Sequence, residues 1–131
     1  MTSCVIDASY ILSMLMPDEA NDQSIYKKMS SGEMSLAAPV LFGFEVCNAI
    51  LLASRRKRFS CLKASSLIKR FLSLPIVYRE IDLMESYLLA DKLGLTVYDA
   101  SYVWLARKLK VELLTGDKKM RELFAGAVLV S

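Results

Sequence analysis

Short apolar runs alternate with longer segments of helical periodicity, and this alternation constrains the fold more than any other feature of the sequence. The apolar runs lie at residues 3–7, 34–38, 76–78, 111–115 and 127–130. Strands that alternate with helices form a mostly parallel sheet whose two faces are covered by helices. The 131 residues suffice for one compact domain with a substantial core. We therefore expect an α/β fold, a three-layer α/β/α sandwich with a mostly parallel central sheet, in which residues 1–131 form a single domain.

The segments between these runs predict helices whose ends are marked by turn and cap residues. Pro17 ends the first helix, Ser60 can cap the fourth, and Gly94 stands just beyond the fifth. The predicted helices span residues 9–16, 18–31, 40–58, 61–73, 81–93, 99–110 and 117–124.

Three acidic residues in apolar surroundings lie where a strand or helix meets a turn. Asp7 ends the first apolar run and Asp117 follows the fourth, so both belong at the carboxyl edge of a parallel sheet, where ligand sites form. Asp99 opens the helix predicted at residues 99–110. Each of the three is also an ordinary candidate for a helix N-cap.

Glu45 differs from these acids because it lies inside the helix predicted at residues 40–58. On a period of 3.6 residues, one helix face contains Glu45, Asn48, Ala49 and Leu52, and we expect it to turn towards the core. A buried carboxylate without a partner is costly, so Glu45 needs either a cation or a raised pKa. An arginine side chain and a metal ion both remain possible partners.

The sequence contains no histidine, which excludes Ser-His-Asp triads, Cys-His nucleophiles and ordinary zinc hydrolase sites. The base of a hydrolase would then be a carboxylate, a lysine or a metal-activated water. Mg²⁺ and Mn²⁺ prefer oxygen ligands, which carboxylates on separate elements supply. We therefore expect one metal-binding pocket formed by Asp7, Glu45, Asp99 and Asp117. Residues that could orient water or phosphate around it are Ser9, Asn48 and Thr115.

The net charge is only +3, which argues against a wholly basic nucleic-acid-binding protein, but the positive charge is clustered. Clusters of cations apart from acids in apolar runs suit a protein that handles an anionic polymer near a metal site. The alternative is that these cations are solvated helix ends. The candidates for contact with phosphate are Arg55, Arg56, Arg58, Lys118 and Lys119.

Cys4, Cys47 and Cys61 are odd in number and lack CxxC spacing, so we expect reduced thiols and a cytoplasmic protein without a secretory signal. Residues 36–53 are apolar enough to be checked as a membrane span. Glu45 at mid-bilayer would cost roughly 2.5–3.5 kcal/mol, so we expect no contact with a membrane.

Four sequence pieces together resemble one known family. They are VIDASYIL, PVLFGFEVCNAI, TVYDASYVWLA and LLTGDKKM, and they span nearly the whole chain. In this order and spacing the chain resembles the PIN-domain ribonucleases, and closely the VapC-type toxins of bacterial toxin–antitoxin pairs. Residues 59–80 match none of the family's motifs.

This resemblance implies a metal-dependent endoribonuclease, the toxin of a type II toxin–antitoxin system. It implies that Mg²⁺ or Mn²⁺ is held by Asp7, Glu45, Asp99 and Asp117, and that a metal-activated water attacks an RNA phosphodiester. Together with two-metal chemistry, it implies products with a 5′-phosphate and a 3′-hydroxyl. The implied partners are RNA, a cognate antitoxin protein and a second copy of the chain in a homodimer.

Two other functions remain open at this point. One is aspartyl phosphotransfer, in which Asp7 is the nucleophile and Thr115 and Lys118 assist. The other is a non-catalytic RNA- or protein-binding α/β module, in which the acids only stabilise the fold.

Overall fold

A computed structural model describes residues 2–17, 23–123 and 127–129. The elements, in chain order, are β1 (Cys4–Ile6), α1 (Ala8–Leu15), α2 (Ser24–Ser30), β2 (Leu36–Pro39), α3 (Leu41–Arg55), α4 (Cys61–Leu72), β3 (Ile76–Arg79), α5 (Leu83–Leu93), α6 (Val97–Leu109), β4 (Glu112–Thr115), α7 (Lys118–Leu123) and β5 (Ala127–Leu129).

The strands form one sheet in the order β3-β2-β1-β4-β5, and every pair of neighbouring strands is parallel. At its centre, Val5 of β1 lies between Ala37 of β2 and Leu113 of β4. β1 and β2 are buried along their whole length, as the central strands of a covered parallel sheet should be. Helix α6 packs on β1, β2 and β4, and α3 packs on β2. The expected α/β fold with helices flanking a parallel sheet is confirmed.

Several predicted helix ends were wrong, and local capping explains the differences. The helix expected at 99–110 begins at Val97, because the Thr96 hydroxyl accepts a hydrogen bond from the Asp99 N–H and caps it. The helix expected at 40–58 ends at Arg55, and Lys57 has φ 60°, a left-handed conformation that a helix cannot continue through. The helix expected at 81–93 begins at Leu83, because Asp82 caps it.

The remaining predicted ends of helices and strands either agree more closely with the structure or lie outside the described residues. Gly94 has φ 67° at the end of α5, so its predicted role as a helix terminator is confirmed. Of the helix expected at 18–31, α2 covers Ser24–Ser30, and residues 18–22 lie outside the described residues. The ends predicted at residues 124 and 130 also lie outside them.

The buried face of α3 is not the face that the sequence predicted. Phe42, Val46, Ile50 and Ala53 are buried, at a spacing of three to four residues. The expected inward face is therefore wrong, because Asn48 is exposed and Leu52 is 37% exposed. Glu45 lies at the border between the buried and exposed sides.

Within the described residues, no helix has the length and apolar character needed to cross a membrane.

Candidate active site

The pairing of β1 with β4 brings Asp7 and Thr115 together at the carboxyl edge of the sheet. Ile6 lies opposite Leu114, so the next residue of each strand reaches the same edge. The Asp7 N–H continues the ladder by donating to the Leu114 carbonyl at 3.1 Å. The Thr115 hydroxyl in turn donates to Oδ2 of Asp7. The sequence-based placement of Asp7 beside the end of the fourth strand therefore agrees with the observed topology.

Asp7 is 6% exposed, and donors hold both of its carboxylate oxygens. Its Oδ1 accepts from the Tyr10 N–H at 3.0 Å, which makes it the N-cap of α1, and from the Ser9 hydroxyl at 2.7 Å. Ser9 and Thr115, which the sequence assigned to water or phosphate, thus contact Asp7 itself. The helix cap and the candidate ligand are the same side chain.

The turn between β4 and α7 is tied to the same cluster and positions Asp117. Ser9 Oγ accepts from the Gly116 N–H at 2.9 Å, and Thr115 Oγ1 accepts from the Asp117 N–H at 3.0 Å. Oδ1 of Asp117 accepts from the N–H groups of Lys119 and Met120, at 2.8 and 3.2 Å. Asp117 therefore caps α7, as its position before a helix allowed.

Glu45 is held by a residue that the sequence analysis did not single out. The Tyr102 hydroxyl donates to Oε1 of Glu45 at 2.5 Å, the length of a charge-assisted O–H···O bond. Burial raises the pKa of Tyr102, as does its hydrogen bond to Glu45, so the phenol stays a protonated donor at neutral pH. Among the described residues, no ion pair reaches Glu45, and the arginine partner left open above is absent from that part of the chain.

Asp99 lies in the first turn of α6, three residues before Tyr102 and on the same side of the helix. Its N-cap role is wrong, because Thr96 caps α6. A Thr-x-x-Asp pattern before an apolar run is a known helix-start signature, and it could have identified Thr96 in the sequence.

Burial raises the pKa of Asp7, Glu45 and Asp99, and the negative charge of neighbouring acids raises it further. Asp99 acts on Asp7 and Glu45, while Asp117 acts on Asp99. Hydrogen bonds from Thr115, Ser9 and the Tyr10 N–H lower the pKa of Asp7 without cancelling the effect of burial. These three acids are therefore close enough to interact, and each carboxyl loses its proton less readily than an ordinary one does.

Among the described residues, no three Asp, Glu or Cys side chains lie together closely enough to hold a metal ion. The donors nevertheless suit a hard divalent cation, because all are carboxylate oxygens that repel one another. Mg²⁺ usually keeps several waters and binds one or two carboxylates, so it does not require three protein ligands in place together. The assignment of Asp7, Glu45, Asp99 and Asp117 as ligands stays a prediction.

The other residues predicted for the site lie around it with fewer contacts. Asn48 is exposed one turn beyond Glu45, and no hydrogen bond within the described chain joins it to the acids. Lys118 and Lys119 are exposed at the start of α7, and Lys119 Nζ donates to the Gly94 carbonyl at 3.3 Å. Lys119 also lowers the pKa of Asp99.

Three cations are exposed at the far end of α3 and just beyond it, namely Arg55, Arg56 and Arg58. Arg55 stands ten residues after Glu45, which places it about 15 Å away along the helix axis. The structure therefore does not bring these cations to the acids.

Asp99→Asn should leave the free energy of unfolding of the metal-free protein unchanged or higher at neutral pH. A raised pKa means that the folded state binds the proton more tightly than the unfolded chain does. This group therefore contributes its full stabilisation at a pH below the ordinary carboxyl pKa of the unfolded chain. The contribution is lost as the pH rises through the raised pKa of the folded protein. The wild-type protein should therefore lose stability as the pH rises above about 4, and the variant should lose less.

Urea unfolding in EDTA at a series of pH values measures this difference. Asp99→Asn keeps the backbone N–H that Thr96 binds, so the helix cap is retained in the comparison. A variant that is much less stable than wild type at every pH would show that the Asp99 carboxylate stabilises α6 instead.

Comparison with known proteins gives relatives that match most of the chain. Ribonuclease VapC3 of Pyrobaculum aerophilum is 34% identical over 129 residues, which cover 95% of this chain and 96% of that protein. Exonuclease VapC9 of the same organism is 32% identical over 103 residues, 79% of this chain and 77% of that one. No protein-family model matches the sequence.

Solved structures share the fold. The crystal structure of PAE2754 from P. aerophilum aligns with a TM-score of 0.80 at 29% identity, covering 98% of this chain and 91% of that one. A chain of a toxin–antitoxin complex from Klebsiella pneumoniae aligns with a TM-score of 0.65 at 16% identity, covering 96% of both, and shows likeness of fold alone. The identity to Ribonuclease VapC3 over nearly the full length of both proteins shows that this chain belongs to the VapC family of PIN-domain ribonucleases.

Proposed function

We propose that this chain is a metal-dependent endoribonuclease and the toxin of a type II toxin–antitoxin pair. We also propose that it acts in the cytoplasm and that residues 1–131 form a single nuclease domain. Its products would carry a 5′-phosphate and a 3′-hydroxyl. The supporting observation is that Asp7, Glu45 and Asp99 are buried enough to have raised pKa values, interact with one another, and lack a neutralising ion pair among the described residues. Carboxylates in this state are suited to bind a divalent cation, and such a cation can bind a phosphodiester.

The metal would be Mg²⁺ or Mn²⁺, held by oxygens of Asp7, Glu45, Asp99 and Asp117. When bound, it would supply activation of a water molecule and neutralisation of the charge on the phosphodiester. Ser9 and Thr115 hold the Asp7 carboxylate in place through their hydroxyls. Asn48, exposed beside Glu45, is proposed to orient water or phosphate.

Aspartyl phosphotransfer is less well supported by the geometry. Thr115, which would assist the phosphoryl transfer, donates its hydroxyl to Asp7 instead of facing an incoming phosphoryl group. Lys118 is exposed, and no hydrogen bond within the described chain joins it to Asp7.

Asp7→Asn and Asp99→Asn should each abolish cleavage of RNA that depends on Mg²⁺ or Mn²⁺. Loss of several kcal/mol of charge stabilisation corresponds to a fall in rate of more than about 100-fold. A circular RNA is the informative substrate, because only an endonuclease can open it. Linear products that vanish in EDTA, with 5′-phosphate ends, are the expected result.

Glu112→Gln is the matched control for these variants, since Glu112 is an exposed acid at the opposite, amino end of β4. It should cleave as the wild-type protein does. Degradation of linear RNA with circular RNA left intact would show an exonuclease. RNA binding without cleavage of any tested RNA, unaffected by metal, would favour the non-catalytic module.

RNA is proposed to contact two groups of cations. Lys118 and Lys119 adjoin Asp117 and would meet the phosphate near the cleavage point. The more distant group of Arg55, Arg56 and Arg58 would hold RNA further along the strand. Binding of this kind gives affinity that falls with salt, because each neutralised phosphate releases counterions.

The double variant Arg55→Gln, Arg56→Gln should raise the KM for RNA while leaving kcat unchanged. These side chains are too far along α3 to touch the reacting phosphate, so they contribute to binding alone. The slope of log affinity against log salt should become shallower by about one for each phosphate that the variant no longer neutralises. Lys108→Gln, which removes an exposed cation in the last turn of α6, should leave both values unchanged. An equal effect of both variants would indicate general charge attraction without a defined site.

Exposed apolar side chains support the proposal that this chain binds other proteins, because monomeric proteins rarely expose large contiguous apolar patches. On α5, Met84, Tyr87 and Leu88 are 67, 58 and 57% exposed, and we propose that this α5 face pairs with a second copy. A separate apolar groove is lined by Val40, Phe44, Leu72 and Tyr78, and we propose that it receives the antitoxin.

The double variant Met84→Ser, Leu88→Ser should shift the protein from dimer to monomer in sedimentation equilibrium. Both side chains are exposed, so the fold of each copy should be retained. Leu62→Ser removes a leucine that is 85% exposed on α4, outside both surfaces, and should remain dimeric. An unchanged dimer in the α5 variant would rule out the α5 face as the site of pairing.

A further inference from the structure

Tyr102 of α6 contacts two side chains of α3 that lie three residues apart. They are Phe42 and Glu45. Residues three apart share one side of a helix. The Tyr102 ring packs edge-on against Phe42, with centroids 6.4 Å apart and planes at 75°, while its hydroxyl donates to Glu45. One tyrosine thus links the packing of the core to a candidate ligand.

The core fixes the position of the Tyr102 hydroxyl. Tyr102 is 1% exposed and Phe42 is fully buried. Phe42 is itself held by Phe71 of α4, with ring centroids 5.6 Å apart. Because buried side chains in a close-packed core occupy single rotamers, the hydroxyl cannot follow a moving glutamate.

Glu45, by contrast, has little else to fix it. Among the described residues, Tyr102 is the one donor to its carboxylate, and no cation lies in ion-pairing contact. Oε1 is engaged and Oε2 accepts no hydrogen bond in that part of the chain. A partly exposed glutamate without this bond would sample several rotamers, and a ligand oxygen must be held in one.

We propose that Tyr102 is a positioning residue that holds Oε1 of Glu45 so that Oε2 is presented to the divalent cation. This inference rests on the proposed function, because it assumes that Glu45 is a metal ligand. Outer groups that orient ligands typically affect metal affinity by roughly 10- to 100-fold when they are removed.

Tyr102→Phe removes the hydroxyl and keeps the ring that packs on Phe42. We expect it to fold with a wild-type near-ultraviolet circular dichroism spectrum and to bind Mn²⁺ roughly 10-fold to 100-fold more weakly. Calorimetric titration of Mn²⁺ without RNA measures this affinity independently of cleavage. Tyr26→Phe is the matched control. It removes from α2 a tyrosine hydroxyl that also takes part in a hydrogen bond, which it accepts from Arg70 of α4.

Glu45→Gln, alone and combined with Tyr102→Phe, separates positioning from general effects on the fold. If Tyr102 acts through Glu45, the double variant binds Mn²⁺ as weakly as Glu45→Gln alone. Wild-type affinity in Tyr102→Phe, or losses in the two variants that add fully, would overturn the positioning role while leaving the metal site in place. Wild-type affinity in Glu45→Gln would instead overturn the assignment of Glu45 as a ligand, and the inference with it.

Discussion

The parallel register between β1 and β4 is the constraint on which the arrangement of the acids depends. Ile6 lies opposite Leu114, and Asp7 and Thr115 follow them to the same edge. A slip of one residue would turn the side chains of β4 to the opposite face of the sheet. The Thr115 hydroxyl would then leave Asp7, and the turn that positions Asp117 would lose the hydrogen bond from the Gly116 N–H to Ser9. Because β1 is buried on both faces, its apolar packing fixes this register.

Burial raises the pKa of Asp7, Glu45 and Asp99, and hydrogen bonds only partly offset this effect. Three donors to Asp7, at roughly 1.5–3 kcal/mol for each bond to a charged group, would be expected to stabilise its ionised form. Its pKa is nevertheless raised, because burial outweighs the donors and Asp99 adds repulsion. An energetic cost of this kind is typical of functional sites, where the remainder of the fold maintains groups that are locally unfavourable.

The sequence alone predicted the parts of the site that depend on local pattern. Asp7 and Asp117 could be placed because strand ends in a parallel sheet share an edge, and Glu45 could be noticed because a carboxylate is unusual in an apolar helix. Tyr102 could not, because its role depends on how α6 lies against α3. The buried face of α3 was also predicted wrongly. A period of 3.6 residues allows more than one face of this helix to be the buried one, and packing against β2 and α4 determines which face it is. Helix ends such as Val97 depend on a single cap residue, which periodicity does not register.

The distribution of charge favours one direction of approach for the proposed RNA. Residues 23–79 contain ten Lys or Arg and two acids, whereas residues 80–99 contain one Lys and five acids. A polyanion is therefore attracted to the side of α3 and α4 and repelled from the side of α5, although the net charge is only +3. The exposed apolar residues Met84, Tyr87 and Leu88 lie on the repelling side, where a protein partner would not compete with RNA. Glu45 lies on α3 itself, ten residues before Arg55, so RNA held by the arginines at the end of that helix would reach the candidate site along α3.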